Sequence, residues 1–286
     1  MFDKVRDYNL MKVSVIISTY NSPEWLEKVL WGYECQTYKN FEVLIADDGS
    51  GEPTKELIER FKKDSPLEIT HIWHDDRGFQ KSEILNKAIL ASTTDYLIFS
   101  DGDCIPRKDF VGTHVKNARV AHFLSGGYFM LPMLPSKSIT KEDIVTGRSF
   151  DVRWLKQNGV EKTHKTLKLT SKGWFEHFLN FITPTKPTWN GHNSSGWKKD
   201  IVAVNGFNEK MQYGGQDREL GERMVNRGTT GIQVRYSAIC LHLDHKRGYK
   251  TEESIRKNQN IRKQTRELKK TWTEFGIVKA EVETLR

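Results

Sequence analysis

Cysteine is scarce: Cys35, Cys104 and Cys240 are the only three in 286 residues, widely spaced and odd in number. That excludes a disulfide framework and a clustered-cysteine zinc site, and it fits a reducing compartment. Long apolar runs are missing too. No stretch approaches the roughly 18 apolar residues of a membrane-spanning helix. The opening MFDKVRDYNLMKVSVIISTY has too short an apolar run, beside Asp3 and Asp7, to be a signal peptide. A soluble, cytoplasmic protein is the expectation. Proline is low at eight residues, and neither an internal repeat nor a low-complexity tract is present. A chain of this length buries a sizeable core without staples. Charge, by contrast, is plentiful: 45 Lys and Arg against 37 Asp and Glu give a net +8. A basic balance suits nucleic acid, an anionic membrane surface or a phosphorylated substrate. No recognition helix or RNA-binding motif accompanies it, so no nucleic-acid partner is expected.

Strand and helix signals alternate through the first half. VSVIIST (13–19) is a β-branched apolar run, the pattern of a strand buried on both faces. SPEWLEKVLWGYECQ follows as a helix, with Ser22 at its N-cap, Pro23 at its first position and Leu26, Val29 and Leu30 on one face. FEVLIADDGS, ITHIWHDD and DYLIFSDGD read as further strands, and EPTKELIERFKKD and KSEILNKAILAS as the helices between them. The order β-α-β-α-β-α-β predicts a doubly wound, mainly parallel sheet with right-handed crossovers. The second half is less regular. GGYFMLPMLP is an apolar stretch broken by glycine and proline, and residues 136–172 read as surface loops and a helix. GWFEHFLNFI puts Trp174, Phe178, Phe181 and Ile182 on one helical stripe, which predicts core packing; a membrane or acceptor contact is the alternative. WNGHNSSGWKKDIVAVNGF reads as a turn-rich loop, a short strand and another turn. YGGQDRELGERMVNRG is a glycine-hinged loop entering a helix that Gly228 ends. TTGIQVRYSAICLHLDHKRG is a final strand closing on histidines, and a charged helix or tail runs from Thr251.

Ligands in such sheets sit beyond the carboxyl ends of the strands. STYN, DDGS and DGD all fall there. Acids at strand ends also serve as turn formers and helix caps, but three such segments converging point to a site. Two carboxylates as close as Asp101 and Asp103 repel, and a divalent cation removes the repulsion while keeping positions open for substrate phosphates. Such a metal stabilises a leaving nucleoside diphosphate.

VSVIISTYN, FEVLIADDGS, GFQKSEILNKAI and YLIFSDGDCIP, in this order, resemble the family-two glycosyltransferases of GT-A fold over residues 12–110. WNGHNSSGWKKDIVAVNGFNEKMQYGGQDRELGERM resembles the acceptor-side segment of galactosyltransferase-like and chondroitin-polymerase-like members. The resemblance implies an α/β fold with a GT-A type, Rossmann-like, mainly parallel sheet flanked by helices. Residues 1–250 would form one catalytic domain, with a nucleotide-binding half (12–110) and an acceptor-binding half (111–250). Residues 251–286 would be a helical C-terminal extension.

The same resemblance implies site roles. Ser18, Thr19 and Asn21 would border a uridine pocket, Asp48 would meet the uracil ring with Asp47 nearby, and Gln80 and Lys81 would lie by the nucleotide. The arginine usual in this neighbourhood is absent. Asp101, beside Gly102, would approach ribose or metal, and Asp103 would bind Mn2+ or Mg2+ directly. Trp189, Asn190, Gly191, His192 and Asn193 would line the donor sugar and acceptor, together with Gly214, Gly215 and Gln216. Gln216 stands where an acid is usual, followed by Arg218. Asp217 would be the general base; it also fits an N-cap of the RELGERMVNRG helix. A histidine of LHLDH would complete the metal shell, His242 first and His245 second, although strand spacing sets them on opposite faces unless a turn intervenes. HDD at 74–76 reads as a loop. The lysines and arginines of 246–270 read as a solvated helix face, with a peripheral contact to anionic lipid at the inner face of the membrane as the alternative.

The implied activity is metal-dependent, inverting transfer from a nucleotide sugar, UDP-Gal, UDP-GalNAc or a related UDP-hexose, to a glycan or lipid-linked acceptor of a surface polysaccharide. A sugar nucleotidyltransferase would carry a glycine-rich phosphate loop after the first strand, which STYNSPEW is not. A non-catalytic nucleotide- or glycan-binding module of the same fold is the remaining alternative.

Overall fold

Strand β1 (Val13–Thr19) is buried at every position and lies at the middle of a parallel ribbon. The computed structural model describes residues 10–161, 163–246 and 251–279; the ends of the expected 1–250 and 251–286 segments lie outside them. After β1 come α1 (Pro23–Glu34), β2 (Phe41–Asp47), α2 (Glu52–Asp64), β3 (Ile69–Trp73), α3 (Lys81–Ala91) and β4 (Tyr96–Asp101), in the predicted alternation. The four strands pair in the order β3-β2-β1-β4, all parallel. Val15 stands opposite Val43 on one side and Ile98 on the other. Side chains alternate across the ribbon. Val13, Val15 and Ile17 therefore pack against α1 and α2, while Ile16 and Leu44 meet Ile84, Leu85 and Ala88 of α3.

The second half contains β5 (Cys104–Pro106), α4 (Phe110–Asn117), β6 (His122–Ser125), β7 (Gly127–Met130), α5 (Met133–Ser138), α6 (Lys141–Val145), α7 (Val152–Gln157), α8 (Leu167–Thr170), α9 (Trp174–Ile182), β8 (Asn193–Trp197), α10 (Lys198–Ala203), α11 (Gln216–Asn226), β9 (Thr230–Gln233), β10 (Ile239–His242) and α12 (Glu252–Glu267). The large sheet continues from β4 through β8, antiparallel to both neighbours, to β6 and β9. A second sheet joins β5, β10 and β7. Histidine-bearing β10 thus leaves the main sheet and lies beside the chain that follows DGD.

Three readings of the second half change. The strand in the 189–207 stretch is NSSGW, buried throughout, and KKDIVA is a helix. Small residues suit this strand because Trp189 covers it: a Cβ on Gly196 would stand 3.1 Å from the indole. Residues 136–172 form short helices rather than loops around one helix, and Ile139, Ile144, Leu155 and Leu169 extend the core beside α1. The apolar stripe of α9 faces outward. Trp174 is 77% exposed and Phe181 88%, and only Leu179 of the helix is buried.

The candidate active site

The carboxyl ends of β1, β2 and β4 open into a cleft of about 720 Å3, lined also by residues 213–218, where a loop enters α11, and by α12. Asp101 ends β4. Its Oδ1 accepts from the Ser18 hydroxyl (2.7 Å) and from the Lys81 ammonium (2.6 Å). Burial works against the Lys81 charge, but Asp101, with Asp103 and Asp217 behind it, more than offsets this and holds its pKa above the usual lysine range. Burial likewise works against the Asp101 charge, and Lys81 outweighs it, so that carboxyl sits below its usual range. Gly102 turns the chain, its N–H donating to Ser18 O, and Thr19, whose buried hydroxyl has no protein partner, lies against it.

Asp103 then enters the second sheet. β5 follows it directly and pairs antiparallel with β10, which sets His242 opposite Cys104. The Leu243 N–H donates to Asp103 O. The strand stops at His242, so the next residues turn back and His245 returns to the same side. Its Nε2 lies 3.0 Å from Asp103 Oδ2, while His242 Nε2 lies 4.0 Å from Oδ1. The two imidazoles stack with centroids 5.7 Å apart. Each Nδ1 faces a carbonyl, Leu243 O or Lys246 O, which fixes both rings with Nε2 turned inward toward Asp103. Ligand atoms of Asp103, His242 and His245 all lie within 4.8 Å of one another. One carboxylate and two imidazole nitrogens with open positions suit a divalent cation. Burial would raise the Asp103 pKa, but His245 and His242 more than reverse this and hold it well below the carboxylate range. It stays ionised, as a ligand must.

Asp217 lines the same cleft. Gly214 and Gly215 adopt left-handed φ values of +118° and +89°, open to glycine at little cost, and Gly215 is the N-cap of α11. The N-cap reading of Asp217 therefore does not hold. Its Oδ2 instead accepts from Gly191 N (3.0 Å) and its Oδ1 from Arg218 N (2.8 Å). A Cβ placed on Gly191 would stand 3.7 Å from Lys81 Nζ, 3.9 Å from Asp101 Oδ1 and 4.0 Å from Asp217 Cβ. Lysine, strand-end acid and the acid of the first turn of α11 thus converge on one point. His192 borders the same space; burial pushes its pKa down to about 4, so it is neutral near pH 7.

Ser18, Thr19, Asp48, Lys81, Asp101, Gly102, Asp103, Gly191, His192, Gly214, Gly215, Gln216, Asp217, His242 and His245 all line the cleft. Six expected residues do not. Trp189 is fully buried, packed on Phe99 and Phe123. Asn193 is buried in β8, where its Nδ2 donates to Gly127 O and Ala238 O and its Oδ1 meets His114. Asn190 turns its amide to Ser125. Asp47 is inaccessible, accepting from Ser50 N and meeting His71, so it shapes the turn after β2. Asn21, at φ +45°, accepts from Gly51 N and ties the ends of β1 and β2. Gln80 caps α3 and acts through its backbone, its N–H donating to Asp48 Oδ2 (2.9 Å). Asp48 reaches the cleft with its other oxygen held by His74 (2.8 Å). Burial raises its pKa beyond what His74 recovers.

Sequence reasoning missed Tyr20, Phe79, Tyr213, Ile255, Gln259 and Arg262, which complete the walls. Tyr20 lay in plain view inside STYN; its hydroxyl donates to Asp76 (2.8 Å). Phe79 packs edge-on against Tyr213. The rest depend on α12 folding back onto α11, where the Arg262 guanidinium pairs with Glu222 (2.6 Å) and Asn258 donates to the carbonyls of Gln212 and Tyr213. The charged segment after Thr251 is therefore a wall of the cleft.

Residues 14–126 match the family described as Glycosyl transferase family 2. The chain is 29% identical to an uncharacterized glycosyltransferase of Bacillus subtilis, YfnE, over 87% of its own length and 69% of that protein. It is 26% identical to a chondroitin synthase of Escherichia coli, over 76% of its own length but 32% of that protein. Among solved structures it is similar to a mannosyltransferase of Pyrobaculum calidifontis in complex with GDP-Man and Mn2+, with a TM-score of 0.57 at 20% identity, covering 90% of this chain and 62% of that one. At that identity the likeness speaks for the fold.

Proposed function

Because residues 14–126 are a glycosyl transferase family 2 domain, a glycosyltransferase by class, we propose that the chain is a metal-dependent, inverting transferase moving a sugar from a nucleotide sugar to a glycan or lipid-linked acceptor. The observation that carries this is that the Asp103–His242–His245 group and Asp217 line one cleft. A divalent cation held by Asp103, His242 and His245 would supply Lewis-acid stabilisation to the departing diphosphate. Lys81 brings a fixed positive charge to the same region, and Asp101 orients it. Asp217 is the acceptor's general base: its carboxylate is anchored by two backbone N–H groups and is within reach of the space above Gly191. Attack from the Asp217 side, with departure toward Asp103, inverts the anomeric centre by the geometry that governs inverting glycoside chemistry. Tyr20 and Asp48 form the nucleobase end of the cleft.

The finer reading is a UDP-hexose donor, galactose or N-acetylgalactosamine, and an acceptor in surface polysaccharide assembly such as lipopolysaccharide core or capsule. The likeness to a chondroitin synthase supports a glycan acceptor, and the three unpaired cysteines support cytoplasmic action. Thermal unfolding with UDP, GDP and their sugar conjugates, each with and without Mn2+, tests the proposal. A ligand at 100 times its Kd adds about 2.7 kcal/mol. A Mn2+-dependent rise with one nucleotide and its sugar conjugate is expected. No shift with any nucleotide, with or without Mn2+, would leave a degenerate binding module instead.

A further inference from the structure

We propose that α9 is a membrane-docking element that seats the protein on an anionic lipid bilayer. The helix is amphipathic in the inverted sense. At about 100° per residue, Phe181, Trp174, Phe178, Ile182 and Phe175 fall within an arc of about 120°. All five are exposed, Trp174 by 77% and Phe181 by 88%. The polar side faces the protein. Asn180 donates to the Ser237 hydroxyl and accepts from Tyr236 N, Glu176 is only 17% exposed, and Leu179 is buried. The helix is thus held by its polar face and offers its apolar face to the surroundings. A contiguous aromatic stripe of this kind marks an interaction site.

The charge around it selects the occupant. Between residues 163 and 186 the chain carries Lys165, Lys172 and Lys186, beside Lys168 whose ammonium is held by Tyr128 O, against a single acid, the inward-turned Glu176. Exposed Trp and Phe flanked by lysines match the headgroup boundary of an anionic bilayer, where the rings enter the acyl edge and the ammoniums meet phosphates. A second copy is the poorer fit, because two α9 faces together would bring two lysine sets of the same sign into contact.

The position beside the cleft gives the contact a use. Lys168 donates to Tyr128 O, and the Tyr128 ring packs on His192 and His242. Lys168 lies on α8, a few residues before α9, so a bilayer under α9 lies near the cleft, suited to a lipid-linked acceptor. That use rests on the proposed transferase function; the docking itself does not.

Flotation of the full chain with vesicles tests it, without nucleotide or metal, so a failure here leaves the nucleotide-binding result untouched. With equimolar phosphatidylcholine and phosphatidylglycerol the protein floats. With phosphatidylcholine alone, or in high salt, the bound fraction falls by about tenfold or more. The triple variant Trp174→Ser, Phe178→Ser, Phe181→Ser lowers binding by about tenfold or more at an unchanged thermal midpoint. Should the triple variant fold poorly, Phe181→Ser alone carries the comparison. Lys257→Glu with Lys263→Glu, on the exposed side of α12, leaves flotation unchanged. Absence of the wild-type chain from anionic vesicles overturns the proposal, as does wild-type flotation by the folded serine variants. A wild-type dimer that the serine variants convert to monomer, with no flotation by either, assigns the stripe to a second copy and overturns it too.

Discussion

Replacement of Asp217 by asparagine isolates the base from the scaffold. The carboxylate is held by two backbone donors, Gly191 N at 3.0 Å and Arg218 N at 2.8 Å. Asparagine offers one carbonyl oxygen and one amide nitrogen, so one of these N–H groups loses its acceptor while the other keeps it. A single lost hydrogen bond costs about 0.5–1.5 kcal/mol, or about 1–6 °C at roughly 2–4 °C per kcal/mol. The variant therefore stays folded, and its nucleotide site, built on the strand ends, is undisturbed. Catalysis behaves differently. An amide takes no proton from an acceptor hydroxyl, and general-base help is worth about 10²–10⁴ in rate, or about 2.7–5.4 kcal/mol of barrier. Initial rates of donor-dependent product formation, read by mass spectrometry with saturating acceptor, should fall by that factor. Nucleotide affinity in the presence of Mn2+ should stay within about twofold. A variant that binds nucleotide normally and turns over within tenfold of wild type would refute the assignment of Asp217.

Three further outcomes follow from the same geometry. Lys81→Met leaves the mostly enclosed Asp101 carboxylate with Ser18 as its remaining side-chain donor. The cost should be about 1–3 kcal/mol in urea unfolding at pH 7, below that of a fully buried pair because both side chains keep some solvent contact; a change under about 0.5 kcal/mol would count against the pairing. His114 is fully buried, and burial pushes its pKa down to about 4. Between about pH 6.5 and 4 the unfolded chain takes a proton that the native His114 refuses, so stability falls with falling pH by up to about 1.4 kcal/mol per unit from this group. Unfolding from pH 7 to 5 should show a steeper slope for wild type than for His114→Gln, and parallel slopes would sink the idea. Gly191→Ala places its methyl 3.7–4.0 Å from Lys81, Asp101 and Asp217, ordinary contact distances. Stability should change by less than about 0.5 kcal/mol while a substrate KM rises; an unchanged KM for both substrates would remove this point from the substrate's path.

The first half was legible because one physical rule governs it. Strands buried on both faces must be apolar throughout, so VSVIIST, FEVLIAD and YLIFS announce themselves, and their polar ends mark where the sheet opens. β8 breaks that rule. NSSGW is buried at every position, yet its first four residues are small or polar, because Trp189 lies over Gly196 and Asn193 satisfies the carbonyls of Gly127 and Ala238. The same packing explains why Trp189 and Asn193, taken from a turn-rich motif, belong to the interior. A motif places a segment near the site, while the side of the strand on which each residue falls decides which of them reach it. Gly191 and His192, on the loop before β8, reach the cleft; Asn190 and Asn193 beside them do not.

The Asp103–His242–His245 group shows the limit from the other direction. Both histidines were visible, but strand periodicity set them on opposite faces. The end of β10 at His242 removes that periodicity, and its pairing with β5, which begins one residue after Asp103, brings both rings to the carboxylate. Register between distant strands is written in no local pattern, and neither is the return of α12 over α11 that carries Arg262 to the rim. The α9 stripe follows the same logic. Periodicity established that the helix has an apolar face, and the usual inference is that such a face is inward. Which face turns inward depends on what the fold lays across the helix. Here the anchoring groups are Asn180 and Leu179, on the side away from Trp174 and Phe181. Since the fold satisfies the polar side, burial of the aromatic side must come from outside the described chain, and the lysines beside it set the sign of the surface that provides it.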